Sequence, residues 1–326
     1  MASPPVAPSR LTVRELLEVK KESLQLELMT PGVPLDLPLE DEDISSPGLA
    51  LSGYTGRVPE GRLQVFGETE ITYLTTLSRE TREARLRGLF AFRVPALFVT
   101  KGQEVPEPLV AVATESGIPV FRSTLSTKDF YRRIKPYLRR ALAPVTNLHG
   151  SLADVYGVGL LFVGRSGVGK SECVLDLVER GHRLVADDVV RARRMGNDIL
   201  IGEGLAMQRH HMEIRGIGII DIGALFGIRA IRQQKRIEVV VQLEHWDDTR
   251  QYNRTGLETE SQEILGVRVP RVTVPLNPGK NITVISEVVA MNHLLRYAGV
   301  DTAQAFNDRL KASMQPVLEY LEEDYE

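Results

Sequence analysis

The sequence predicts an α/β protein of two domains. Three observations carry this. The chain has 326 residues, where a domain usually takes ~100–200. Helix-like and strand-like segments alternate up to about Tyr137, as a parallel sheet requires. A glycine-rich turn, Gly164–Ser171, then joins an apolar strand to a helix. The expected division is an N-terminal α/β domain with a parallel sheet over 1–134 and a C-terminal P-loop catalytic domain over 135–326. At 43% hydrophobic residues, there is apolar sequence enough for two cores.

Along the chain, residues 1–9, "MASPPVAPS", are rich in Pro, Ser and Ala and read as a loose tail. "LTVRELLEV" places Leu11, Leu16 and Leu17 on one helical face with Thr12 as a cap. "RLQVFGETEITYL" and "ALFVTKG" read as strands. "PEPLVAVATESGIPVFRS" reads as a helix, a glycine stop and another strand. "RRIKPYLRRALAP", Arg132 to Pro144, is a basic helical segment at the domain junction. From His149 onward, "DVYGVGLLFVG", "RLVADDVV", "DILIG", "IEVVVQL" and "NITVISE" read as strands. Helices are expected around "SEVVAMNHLLRYAG" and "TAQAFNDRLKASMQPVLEYLEE".

A formal charge of −3 gives no general attraction for nucleic acid or an anionic membrane, and neither is expected as a partner. Cys173 is the single cysteine, so no intrachain disulfide can form, and on its helix it reads as a packing residue. No segment reads as a signal peptide or a membrane span, so the cytoplasm is the expected location.

"GRSGVGKS" fits G-x-x-x-x-G-K-[ST]. Gly164, Arg165, Ser166, Gly167, Val168 and Gly169 form a turn whose main-chain N–H groups can converge on phosphate oxygens. The helix that follows points its positive end at the same anion. Lys170 supplies a compact charge for the β- and γ-phosphates, and the Ser171 hydroxyl can ligate Mg²⁺. "HRLVADDVV" sets Asp187 and Asp188 at the end of an apolar strand soon after this helix. Side by side in a parallel sheet, the two strands would bring both carboxylates to the phosphates. One acid can hold Mg²⁺ through water; the other can accept a proton from an incoming hydroxyl. In "MEIRGIGIID", Glu213 and Arg215 alternate with apolar residues and would share one strand face. No N-K-x-D guanine-reading motif is present.

"HGSLADVYGVGLLFVGRSGVGKSECVLDLVERGHRLVADDVV", "HHMEIRGIGIIDI" and "PLNPGKNITVISEVVAMN" resemble bacterial HPr kinase/phosphorylases. "DISSPGLALSGY", "RLQVFGETEITYL" and "GIPVFRST" extend the resemblance over the N-terminal half. It implies a C-terminal P-loop kinase fold akin to phosphoenolpyruvate carboxykinase and a hexameric homo-oligomer. The implied reactions are ATP- or pyrophosphate-dependent, Mg²⁺-requiring phosphorylation of a serine of HPr, the phosphocarrier of the sugar phosphotransferase system, and the phosphate-dependent reversal. By motif position it implies Lys170 and Ser171 as phosphate and metal contacts, Asp188 as the proton acceptor and Glu213 as a metal ligand. It also implies His149 as an active-site residue, Arg254 of "YNRTG" as a loop arginine, and "PLNPGK", Pro275–Lys280, as a segment tied to dephosphorylation. The chain departs at Asn253, where an aspartate is expected, and at Asn277 and Lys280, where basic residues commonly including arginine are usual. Lysine for arginine keeps charge but loses the bidentate fork. Without the resemblance, a small-molecule kinase ranks first, and a regulatory protein with decayed catalysis is the alternative of another class.

Overall fold

The computed structural model describes residues 11–249, 260–277 and 279–323. Two compact units meet at the Ala143–Pro144 bond.

The N-terminal unit is built on a five-stranded sheet, in the order Leu26–Leu28, Val120–Ser123, Leu97–Val99, Leu63–Phe66, Ile44–Ser45. The last four run parallel and the first is antiparallel to its neighbour. Alternate side chains enter opposite cores, as the period of a strand dictates. Phe66, Leu97, Val99 and Val120 meet helices that include Arg79–Phe90 and Glu107–Glu115. Leu63, Val65, Phe98 and Phe121 meet Val13–Lys20 and Thr127–Leu142. Thr12 caps the first helix as expected, accepting from the Glu15 N–H at 3.2 Å while Glu15 accepts from the Thr12 N–H at 2.8 Å.

The basic helix begins at Thr127, where the Ser126 hydroxyl accepts from the Asp129 N–H. It buries Phe130, Ile134 and Leu138 at four-residue spacing in the N-terminal core. That stripe runs past residue 134, so the helix carries the unit on to Ala143. "ETEITYL" is a helix, Glu68–Thr76, rather than a strand continuation. Glu70 accepts from the Gly67 N–H at 2.9 Å and starts the helix one residue after the strand ends.

The C-terminal unit has three layers. Its central six-stranded sheet runs Arg183–Ala186, Ser151–Val155, Val158–Gly164, Val239–His245, Val267–Leu276, Glu260–Ile264. A four-stranded antiparallel sheet, Gln234–Arg236, Ile199–Gly204, Val189–Met195, Val145–His149, supplies a second layer. Helices Lys170–Glu179 and Ile282–Tyr297 supply the third. Leu160 and Phe162 point into the core shared with the helices. Leu161, between them, joins the core shared with Leu148, Val190 and Leu200.

Two further expectations are corrected. The strand ending at Ala186 is parallel to the P-loop strand but not beside it, because Ser151–Val155 lies antiparallel between them. "NITVISE" is not a strand: Asn281 caps a helix there, accepting from the Val284 N–H at 3.1 Å. Thr283, Ser286, Glu287 and Ala290 are its buried face. The β-branched run "ITVI" favours a strand locally, but packing on the P-loop helix overrides it.

Candidate active site

The P-loop strand Val158–Gly164 ends in the turn that opens helix Lys170–Glu179. Gly164 lies against the Leu243 carbonyl of the next strand, where a Cβ would find no room. Gly169 caps the helix at φ +96°, a conformation that favours glycine. The Lys170 ammonium donates to the carbonyls of Gly164 and Arg165, at 3.2 and 3.1 Å. The charge is thus held against the loop by the loop's own carbonyls.

At the same edge of the sheet, Arg183–Ala186 delivers the two acids into different surroundings. Asp187 is 4% exposed. Its Oδ1 accepts from the Ser151 hydroxyl at 2.5 Å and the Ser171 hydroxyl at 3.0 Å, while Oδ2 has no hydrogen-bond partner. Burial pushes its carboxyl above the ordinary range, partly offset by the two hydroxyls and the nearby amides of Asp188 and Glu213. Asp188 is exposed and sits at φ +62°, a conformation that aspartate tolerates better than most residues. Its carbonyl accepts from the Gly150 N–H at 3.0 Å. His149 pairs across strands with Val189, so it stands beside the acid pair. Gly150 has no room for a Cβ against the Phe162 carbonyl, which accounts for the "HG" step.

Glu213 lies on the hairpin strand His211–Ile214 and is exposed. Arg215 lies in the turn after that strand, not on it. A Cβ built on Gly167 would fall 2.7 Å from the Arg215 guanidinium, so this arginine covers the phosphate loop. Lys280 donates from its ammonium to the Pro275 carbonyl at 3.0 Å, at the end of strand Val267–Leu276. Arg254, Asn253 and Pro278 lie outside the described residues.

The P-loop helix is fastened from behind. Glu287 is 5% exposed and takes a bidentate pair from Arg180, at 2.9 and 2.7 Å. His182 Nε2 stands 3.0 Å from the same carboxylate. The Arg180 guanidinium, outweighing burial and helped by His182, lowers Glu287 to about 2. Cys173 is buried against Ser286, and burial raises its thiol to about 12. It packs in the core shared with Val174 and Leu177.

Residues 140–310 match the family described as HPr Serine kinase C-terminal domain, and residues 11–138 match HPr Serine kinase N terminus. The chain belongs to the HPr serine kinase family. An HPr kinase/phosphorylase of Chloroherpeton thalassium is 47% identical over 296 residues, covering 88% of this chain and 87% of that one. One from Bacillus cytotoxicus is 42% identical over 294 residues, covering 90% and 95%. The solved Hpr(Ser) kinase/phosphatase from Coxiella burnetii is 32% identical and covers 49% of this chain and 97% of that one, at a TM-score of 0.44. No helix among the described residues is long and apolar enough to cross a membrane.

Family membership leaves individual side chains to the geometry. Ser171 meets Asp187, Lys170 meets the loop carbonyls and the Arg215 guanidinium lies against Gly167, while His149 pairs with Val189, the residue after Asp188. Sequence reasoning missed Ser151, a lone hydroxyl in the buried strand Ser151–Val155. Its position directly after "HG" was the available signal.

Proposed function

We propose that Asp187 and Asp188 divide the work of a bifunctional enzyme that phosphorylates a serine of HPr and, with inorganic phosphate, removes that phosphate as pyrophosphate. The observation that carries this is the contrast between the acids. One is buried with an unpartnered oxygen, the other exposed at the same edge as the P-loop.

The residues fit Mg²⁺. An orphaned buried carboxylate oxygen needs a cation or a proton, and the Ser171 hydroxyl stands beside it. Asp187 and Ser171 would hold the ion, with Glu213 near. When bound, it would neutralise charge on the β- and γ-oxygens of ATP.

In the forward direction, Lys170 and the loop amides bind the triphosphate. Asp188 takes the seryl proton as the γ-phosphoryl group moves to the serine oxygen. Arg215 faces the charge that spreads over the transferring oxygens. In reverse, an oxygen of inorganic phosphate attacks phosphoserine, the P–O bond to serine breaks, and Asp188 returns the proton to the seryl oxygen. Pyrophosphate leaves, and it can serve as donor when the reaction runs the other way. His149, beside Asp188, would orient the acceptor. The same reading takes the domain as a P-loop kinase akin to phosphoenolpyruvate carboxykinase, acting as a hexamer in the cytoplasm to regulate carbon use through HPr.

The test is to incubate the chain with HPr, Mg²⁺ and ATP and locate phosphate by mass spectrometry. One phosphoserine on HPr, removed on adding phosphate with release of pyrophosphate, is expected. Turnover on a metabolite with HPr untouched would refute the reading.

A further inference from the structure

Strand Ser151–Val155 lies between the P-loop strand and the strand that ends at Ala186. Register sets where its first side chain points. Ser151 stands opposite Phe162 of the P-loop strand, and residues paired in this way share one face of the sheet. Phe162 packs in the core shared with Cys173 and Val174 of the P-loop helix. The Ser151 hydroxyl is therefore on the helix side. On the other flank, Leu152 stands opposite Ala186, and both face the second sheet. Asp187 follows Ala186 and turns to the opposite face, as alternation requires. The pleat of two strands thus sets a hydroxyl and a carboxylate together beside Ser171, at the start of the P-loop helix.

We infer that Ser151 is a positioning residue whose hydroxyl fixes the rotation of the Asp187 carboxylate, so that Oδ2 is the oxygen presented to Mg²⁺. This rests on the reading of Asp187 and Ser171 as the residues that hold the ion. A carboxylate turns easily about its last bond, because a torsion between an sp³ and an sp² carbon has broad wells. Something must choose which oxygen meets the cation.

The hydrogen bonds make that choice. Both hydroxyls donate to Oδ1, Ser151 at 2.5 Å and Ser171 at 3.0 Å. Oδ2 is left buried and without a hydrogen-bond partner. The two donors are not equivalent. Ser171 is partly exposed where the loop meets its helix, and it is itself one of the residues that would hold the ion. Its hydroxyl therefore gains a new partner when the ion arrives. Ser151 is 0% exposed and belongs to a strand paired on both flanks. It is the donor that stays in place. The main chain of the acid pair is held from the same segment, since the Gly150 N–H donates to the Asp188 carbonyl at 3.0 Å. A side chain that hydrogen-bonds a metal ligand, and not the metal, orients that ligand.

The test uses the full chain and measures ATP affinity by calorimetry, once in excess EDTA and once in Mg²⁺. The ratio of the two is the gain that the ion contributes. Ser151→Ala should lower that gain by about tenfold or more, the usual loss when a metal ligand is no longer oriented. Affinity in EDTA should stay within about twofold, because the loop and Lys170 hold the phosphates without the ion. In turnover with HPr, the Mg²⁺ concentration giving half the maximal rate should rise by a similar factor, while the rate at saturating Mg²⁺ falls less than about threefold. A serine that only supported the fold would weaken ATP equally in both conditions. Ser151→Cys keeps nearly the same shape with a weak S–H donor and should lose the gain in the same way. It carries the test should the alanine variant fold poorly. Equal losses with and without Mg²⁺, or an unchanged gain in either variant, would overturn the assignment. Failure of the metal reading is distinguishable, since the wild-type chain would then gain no ATP affinity from Mg²⁺.

Discussion

Replacing Glu287 by glutamine should cost about 1.5 kcal/mol of stability at neutral pH, and the cost should fade in acid. The carboxylate lowered from 4.5 to about 2 corresponds to about 3.5 kcal/mol, at ~1.4 kcal/mol per pH unit. Its main partner, Arg180, is 47% exposed, and Glu287 itself is covered yet shallow. Water screens such a pair, so a little under half of the full value is expected, ~1.5 kcal/mol. Glutamine keeps the shape but turns an amide N–H₂ toward the guanidinium. Because the native value is depressed, the contribution is complete above 4.5 and is lost as pH falls from there toward 2. Urea titrations of wild type and Glu287→Gln, followed across pH 7 to pH 3, read this directly. The gap should hold steady down to about pH 5 and then narrow, by the linkage just given. A gap of the same size at both ends, or none at pH 7, would show that the clamp acts by packing and not by charge.

Asp188→Asn should leave ATP affinity nearly unchanged and slow transfer to HPr by ~10²–10⁴-fold, the usual loss of a general base; single-turnover rates and calorimetry separate the two, and lost binding with an intact rate would make Asp188 a ligand instead. Asp187→Asn should behave oppositely. Burial raises the Asp187 carboxyl, so its charged form weighs against the fold as pH rises. The asparagine variant should melt no lower than wild type at neutral pH without Mg²⁺, yet lose the Mg²⁺-dependent gain in melting temperature with ATP. A large drop in melting temperature without Mg²⁺ would contradict this. Lys280→Ala should lower phosphate-dependent dephosphorylation of phosphoserine-HPr more than ATP-dependent phosphorylation, because its ammonium sits at a strand end where a small free anion could be positioned. Equal losses, with no rise in the apparent Michaelis constant for phosphate, would make the segment a scaffold only.

The sequence by itself determined the elements whose signals are local. The P-loop is legible because its glycines, Lys170 and Ser171 must be contiguous to wrap one phosphate chain. The Thr12 cap and the glycine stop at Gly117 lie within a few residues of the helices that they bound. The residues by themselves showed the two acids only as a pair, and the resemblance singled out Asp188 as the proton acceptor, but which acid is buried depends on what packs around them. Only the folded chain makes Asp187 the enclosed acid, through Ser151 on a separate strand, and leaves Asp188 outside. The strand inserted between the P-loop and the acids, the helix that "NITVISE" becomes, and the Arg215 guanidinium over Gly167 were likewise decided by tertiary packing. Each depends on partners distant in sequence, and local propensity is too weak, at ~1 kcal/mol or less per residue, to outweigh burial against them.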